Sequence, residues 1–196
     1  MIIVRRKHLI HQALKGDDLV GAPSRLLLKV RHYEVDEYGH VNHANYVHYL
    51  ETARVEALEA VGLPLREMRR QGYTIVAADL SVKYHSPARS GETLDIVTYL
   101  REMRGARSVW LQEIREASSQ RLVVTAEVTG AFTTEGGRPA RAPETIREKL
   151  SALYAPGANP GEGADPGLAG DEKTHGRSRR LRSWPRILST AIGLLA

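Results

Sequence analysis

Apolar and polar residues alternate along most of the chain between residues 24 and 134, except for one stretch near residue 42 where the apolar period lengthens. The first alternating stretch places Leu26, Leu28 and Val30 on one side, which predicts a strand. The longer period predicts an amphipathic helix of about 19 residues. Its apolar positions are Tyr46, Leu50, Ala53, Ala57 and Val61. We expect Asn42 to cap this helix, and Gly62 and Pro64 to end it.

The two-residue period returns in four stretches after the helix, separated by turns that contain Gly, Pro or Ser. A connection from Pro64 to Gly72, with room for a helical turn, precedes them. We expect one face of the first of these strands to carry Val76, Ala78, Leu80, Val82 and Tyr84. Consecutive strands joined by short turns predict an antiparallel sheet. The sequence therefore predicts an α+β domain with one long helix packed against a five-stranded antiparallel sheet.

The folded domain is expected to span residues 24–154. Residues 1–23 show no sustained period and are predicted to form a flexible N-terminal arm. Residues 155–196 are predicted to be a disordered Gly/Pro-rich linker and a basic tail, because Gly or Pro occupies eight of the fifteen positions from 156 to 170. Two interpretations of residues 177–196 remain open: a basic amphipathic helix making weak contact with an anionic membrane or a partner, or an unstructured tail.

Charge and composition exclude several classes of protein. The formal net charge of +5 equals the number of arginines between residues 177 and 186, so the basic character belongs to the tail and we expect no nucleic-acid partner. The chain has no cysteine, which excludes disulfides and a thiol nucleophile and favours a cytoplasmic location. No apolar run reaches the roughly 18 residues of a membrane-spanning helix.

Candidate chemistry is concentrated where the first strand leads into the helix. Asp36 lies on a turn just before the helix, with His40 and His43 beside it. Because a helix start offers unpaired N–H groups and a partial positive charge, it can hold a carbonyl oxygen that becomes negative, and a nearby carboxylate can attack or activate water. Asp36, His40 and His43 could instead bind a metal, but no further well-spaced ligand is evident, so we expect neither a metal nor a cofactor. The chain contains no serine elbow or phosphate loop.

The pattern Asp36-x-x-Gly39-His40-Val41-Asn42-x-x-Asn45-Tyr46-x-x-Tyr49-x-Glu51-x-x-Arg54 resembles the signature of the 4-hydroxybenzoyl-CoA thioesterase family and its acyl-CoA and acyl-lipid thioesterase relatives. The similarity runs from about Leu26 to Leu150 and includes Ser81-Val-Lys-Tyr-His-Ser-Pro87. Residues 34–39 and the Arg-Pro-x-Arg-x-Pro ending look most similar to plant and cyanobacterial acyl-lipid thioesterases. The resemblance implies a hotdog fold and an acyl-CoA thioesterase.

The resemblance also implies roles for individual residues. Asp36 would be the catalytic nucleophile or general base, with an oxyanion contact from backbone N–H groups near Asn42 and His43. The His43 ring either handles a proton or only forms the wall of the site. The predicted substrate-binding residues of this segment are Gly39, His40, Val41 and Tyr46. We expect Tyr46 and Tyr49 to lie in the core or to line a pocket. Glu51 and Arg54 are expected to pair on the helix surface or at an interface.

In the family, basic residues after the third strand bind the CoA nucleotide at a subunit interface. Arg101, Arg104 and Arg107 match that place, and we assign substrate binding to Arg104 and Arg107. The alternative is an exposed basic hairpin. The expected partners are an acyl-CoA or acyl-carrier-protein thioester and further copies of the chain, in a homodimer or homotetramer. Two other functions stay open: a non-catalytic acyl-CoA-binding hotdog protein and a hotdog hydratase. Acyl chain length and type, and the carrier, are undetermined.

Overall fold

The computed structural model describes residues 23–155, which form a five-stranded antiparallel sheet with one long helix and two short ones. The predicted helix-on-sheet α+β arrangement is confirmed. The predicted arm (1–23) and the predicted linker and tail (155–196), with any membrane contact of the tail, lie outside the described part except for residues 23 and 155. The strands are β1 (Ser24–Lys29), β2 (Tyr73–Tyr84), β3 (Thr93–Arg104), β4 (Arg107–Glu116) and β5 (Leu122–Thr134). The helices are α1 (His43–Ala60), α2 (Leu65–Arg70) and α3 (Glu144–Leu150), with 3-10 turns at His32–Glu34 and Ser151–Leu153.

The sheet has the strand order β1-β3-β4-β5-β2, so β1 and β2 are its edges. Helix α1 packs across the sheet with the face predicted from its period, and its buried residues include Leu50, Ala53 and Ala57. Asn42 caps the helix as expected: its side-chain Oδ1 accepts the N–H of Ala44 at 3.0 Å. A cap of this kind is worth about 1 kcal/mol. The cap therefore fixes the point at which the chain turns from the Asp36 segment into the helix.

Strand β2 departs from the predicted alternation because it contains a bulge between Ala77 and Asp79. Val82 lies opposite Ala126 and Ile75 lies opposite Phe132, so both face α1 although their positions differ by an odd number, which in a regular strand would place them on opposite faces. The prediction that Val76 shares a face with Leu80 and Val82 is therefore wrong. One inserted residue reverses the phase of every side chain before it.

Two buried clusters fill the space between the helices and the sheet. One surrounds Tyr46 and Leu50 near the start of α1, and the other surrounds Trp110 and Phe132 near its end. Helix α3, which the sequence analysis did not predict, closes the second cluster with Ile146 and Leu150. Within residues 23–155, no helix has the length and apolar character needed to cross a bilayer.

Candidate active site

The turn that carries Asp36 is closed by its own backbone. The N–H of Asp36 donates to the carbonyl of His40 at 2.8 Å, and the N–H of Gly39 donates to the carbonyl of Asp36 at 3.0 Å. Gly39 has a φ of 73°, in the left-handed region that favours glycine. The Oδ1 atom of Asp36 accepts the N–H groups of Tyr38 at 2.9 Å and His40 at 3.3 Å. Within the described chain its Oδ2 atom has no hydrogen-bond partner, so one carboxylate oxygen is oriented and the other is available.

Glu34 attaches this turn to the helix. Its carbonyl accepts the N–H of Asn42 at 2.9 Å and the side-chain amide of Asn45 at 2.8 Å. Its carboxylate is buried, and one oxygen accepts both the Tyr49 hydroxyl and the backbone N–H of Arg31 at 2.7 Å. Burial alone would raise the pKa of Glu34, but the hydrogen bonds from Arg31 and Tyr49 outweigh it and hold that pKa below its usual value. Glu34 is therefore an ionised buried group with its acceptors occupied.

The helix start leaves one backbone N–H available. The N–H of Asn42 is bonded to Glu34, that of Ala44 to the Asn42 side chain, and that of Asn45 to the Asn42 carbonyl at 2.9 Å. The N–H of His43, the first helical residue, has no intrahelical acceptor and none elsewhere in the described chain. The His43 carbonyl accepts the Tyr84 hydroxyl at 3.2 Å, while the His43 side chain is exposed. Of the two N–H groups expected at the oxyanion position, only that of His43 is free.

The predicted substrate-binding residues near the turn divide into two groups. Gly39 and His40 lie in the accessible turn. Val41 and Tyr46 are buried, and both hold the loop at Ala88: the N–H of Val41 donates to the Ala88 carbonyl at 2.8 Å, and the Tyr46 hydroxyl accepts the N–H of Ala88 at 2.9 Å. Burial raises the pKa of Tyr46. No group of three or more His, Asp or Glu side chains between residues 23 and 155 is placed to hold a metal ion.

Arg104 and Arg107 lie at the far end of the sheet from Asp36. The Asp36 segment joins the start of β3, where the N–H of Val30 donates to the Glu92 carbonyl at 2.9 Å. The two arginines flank the hairpin at the other end of β3, a strand that is about 36 Å long at a rise of 3.3 Å per residue. Both are exposed, and Arg107 pairs with Glu102 at 3.6 Å. Asp36 and these arginines of the same chain therefore belong to separate surfaces.

Sequence reasoning missed the roles of Glu34, Tyr84 and Gln112. Glu34 stands within the segment that carries the family resemblance, but its burial and its bond to Tyr49 depend on contacts fifteen residues apart. The expected Glu51–Arg54 pair is not a direct ion pair within this chain: Arg54 donates to the Gln112 side chain at 2.7 Å, and the exposed Glu51 acts on Arg54 only through its charge. No local signal in the sequence marks Gln112 as the partner, because it lies 58 positions from Arg54.

Comparison with known proteins identifies the family. The family model of the thioesterase-like superfamily matches residues 30–150. The chain is 32% identical over 137 residues to the acyl-acyl carrier protein thioesterase ATL3 of Arabidopsis thaliana, covering 70% of this chain and 72% of the relative. It is 30% identical to the long-chain acyl-CoA thioesterase FadM of Escherichia coli, covering 64% of this chain and 96% of the relative. The crystal structure of YbaW, a probable thioesterase of Escherichia coli, superposes with a TM-score of 0.60 at 26% identity, over 67% of this chain and 98% of that one.

The chain belongs to the thioesterase-like superfamily. Its sheet and central helix form the hotdog fold that the sequence resemblance implied. It is a thioester hydrolase, and the predicted enzyme class is confirmed at that level.

Proposed function

We propose that this protein hydrolyses an acyl thioester carried by CoA or by acyl carrier protein, with Asp36 as nucleophile or general base and the His43 N–H as the oxyanion contact. One observation carries the proposal. Two groups that have no hydrogen-bond partner among residues 23–155, Oδ2 of Asp36 and the N–H of His43, flank the same helix start within a segment held by Glu34. A thioester needs this combination of one activated oxygen and one donor for the developing negative charge.

Two routes use the same groups. In the first, Oδ2 of Asp36 attacks the thioester carbonyl, the C–S bond breaks, the thiolate leaves and takes a proton, and water then hydrolyses the acyl-aspartyl anhydride. In the second, Asp36 accepts a proton from a water that attacks the same carbon directly, and the thiol leaves with a proton. In both, the carbonyl oxygen becomes negative beside the His43 N–H and the positive end of the α1 dipole. A donor of this kind is worth about 2.7 to 4 kcal/mol in the transition state.

One measurement, the release of free thiol, can identify the carrier and distinguish a thioesterase from the two alternative functions. The relatives named for acyl-carrier-protein and acyl-CoA substrates support a thioester of either carrier. A non-catalytic binder would release no thiol, and a hydratase would consume an enoyl group without breaking the C–S bond. A cytoplasmic location, favoured by the lack of cysteine, is part of the proposal.

The proposal includes a homodimer or homotetramer. Edge strand β2 is largely exposed, including Val76 and Leu80 at 37% and 39% of their surface, and an unpaired apolar edge favours pairing with another strand. Two β2 strands related by a twofold axis run antiparallel. The Asp36 end of one sheet would then lie next to the hairpin end of the other, so Arg104 and Arg107 would serve the site of the other subunit.

The test is release of free thiol from acyl-CoA and acyl-carrier-protein thioesters by the full chain and by Asp36→Asn. We expect the variant to keep its fold and its mass in solution and to lose at least about a hundredfold in kcat. Hydrolysis by Asp36→Asn within a few-fold of wild type would refute the role of Asp36.

A further inference from the structure

Arg54 differs from every other arginine between residues 23 and 155. The other arginines there that are not exposed all form ion pairs with carboxylates: Arg101, Arg115, Arg121 and Arg147. Arg54 is half-buried and forms none; its Nη1 donates to the neutral Oε1 of Gln112 at 2.7 Å. Burial lowers the pKa of its guanidinium, and the charge of Glu51 offsets this only in part. Removing a cation from water without a directly bonded counter-charge is costly, so an acceptor supplied by a ligand would be stabilising here.

Gln112 holds Arg54 in one orientation. The amide is 1% exposed, and its Nε2 donates to the Leu50 carbonyl at 2.8 Å and to the Thr98 hydroxyl at 3.0 Å. Because a carbonyl oxygen only accepts, the amide cannot be reversed, and its oxygen must face Arg54. This bond uses one of the five N–H donors of the guanidinium. Within residues 23–155 the remaining donors have no hydrogen-bond partner, so they are available to a ligand.

Arg54 lines a cavity of about 100 Å³ between α1 and β2. Most of the wall is apolar and includes Leu58, Ile75, Trp110 and Val128. Glu51 lines the same cavity but is exposed and makes no ion pair with Arg54. At about 30 Å³ per water molecule, the space holds roughly three small groups. The cavity therefore fits the end of a chain with a polar atom, and not a whole acyl group.

The face of β2 that is turned toward α1 leads from the proposed catalytic site to this cavity. Tyr84, bonded to the His43 carbonyl, is 51% exposed, and Leu80 on the same face is 39% exposed. His43 and Arg54 are eleven positions apart, about 16 Å along the helix axis. A thioester bound at His43 could thus extend an apolar chain along β2 and bring its far end to Arg54.

We propose that Arg54 is a specificity-determining residue that binds an oxygen atom on the acyl chain, remote from the thioester. The enzyme would then prefer acyl groups with a distal hydroxyl or carboxylate over plain alkyl chains of the same length. This inference rests on the proposed thioesterase function. A plain chain end would leave the guanidinium desolvated without a new acceptor, and sites built to bond an oxygen discriminate strongly against analogues that lack it.

The test measures kcat/KM for acyl-CoA thioesters of equal length that end in a methyl, a hydroxyl or a carboxylate, at several chain lengths. For wild type we expect one or both oxygenated series to exceed the plain series by about tenfold to a hundredfold at the length that reaches Arg54. Arg54→Met should remove this preference while hydrolysis of plain chains persists. Arg54→Lys keeps the charge without the planar fork and should retain part of the preference. Arg141→Met, the same change at an exposed position, should leave all ratios unaltered.

The outcomes distinguish failure of the Arg54 proposal from failure of the proposed thioesterase function. Equal kcat/KM for the three series in wild type, or unaltered ratios in a folded Arg54→Met, would overturn the inference alone. If Arg54→Met does not fold, unaltered ratios in Arg54→Lys would do the same. A change in oligomeric mass in Arg54→Met with unaltered ratios would assign Arg54 to an interface instead. Wild type that hydrolyses none of the thioesters would overturn the proposed function itself.

Discussion

Glu34 offers the sharpest test of how the Asp36 turn is held. Replacing it with alanine removes the acceptor of the Tyr49 hydroxyl, which is buried, and of the Arg31 N–H, which is partly buried. An unsatisfied buried donor costs about 1 to 3 kcal/mol, and one that reaches water costs less. We therefore expect Glu34→Ala to lower the free energy of unfolding by about 2 to 4 kcal/mol.

Activity should fall more than stability alone would explain. The Asp36 turn and the start of α1 are joined through Glu34, and a displacement of about 1 Å between reacting groups can cost a hundredfold in rate. We expect kcat to fall by about tenfold to a hundredfold while KM changes little, because the substrate-binding surface is largely retained. Tyr49→Phe, which removes only one donor to the same carboxylate, should produce a smaller change in the same direction.

The assay combines urea unfolding with thiol release, measured on the folded fraction. Glu37→Ala is the matched control, because Glu37 is an exposed carboxylate of the same turn, and its unfolding free energy should change by less than about 0.5 kcal/mol. Since the pKa of Glu34 is lowered on folding, its carboxylate stabilises the folded state fully above pH 4.5, and this stabilisation is lost as pH falls through the folded pKa. The unfolding free energy of Glu34→Gln should therefore lack this dependence on pH. Wild-type stability and kcat in Glu34→Ala would refute the positioning role.

Three further predictions concern other parts of the molecule. Replacing Arg104 and Arg107 together with alanine should raise KM for acyl-CoA by about tenfold or more with little change in kcat, whereas a truncated thioester without the nucleotide should be unaffected; an equal loss on both substrates would favour the exposed-hairpin alternative. Light scattering at micromolar concentration should give the mass of a dimer or tetramer, and Leu80→Lys should shift it toward monomer; a wild-type monomer would contradict the proposed β2 interface. Hydrogen bonds from Ser119 and Ser118 lower the pKa of Glu116 from 4.5 to about 2, so the stability advantage of wild type over Glu116→Gln should be full above pH 4.5 and vanish as pH falls toward 2; a gap that does not depend on pH would contradict it.

Local sequence patterns were sufficient for the helix and the strands. The bounds of α1 follow from a period of three to four residues, a capping Asn42 and a terminating Gly62, which are all properties of neighbouring residues. The alternation of apolar and polar residues that predicted β3 and β4 is likewise a property of neighbouring residues. Helix α3 has only seven residues, too few for its period to be recognised, and it is stabilised by burial of Ile146 and Leu150.

For the candidate active site too, some features follow from the local sequence and others only from tertiary contacts. The sequence located Asp36 at a helix start, because a turn followed by a cap is a local feature. It could not show that Glu34 occupies the N–H of Asn42 and so leaves that of His43 available, since this depends on how the turn folds back on the helix. It also could not place Arg104 and Arg107 at the opposite end of the sheet from Asp36, because that separation follows from strand register.

The sequence by itself thus determined the long helix, the five strands, their order along the chain and the family, because periodicity, caps and motifs are carried by residues close together in the chain. Only the tertiary structure decided which side chains of β2 face α1 on each side of the bulge. It also decided which groups of the site are already hydrogen-bonded, and that Gln112 accepts the hydrogen bond of Arg54. Those outcomes depend on contacts between distant residues, such as Arg54 with Gln112 across 58 positions, and on the burial that makes an unpaired charge costly.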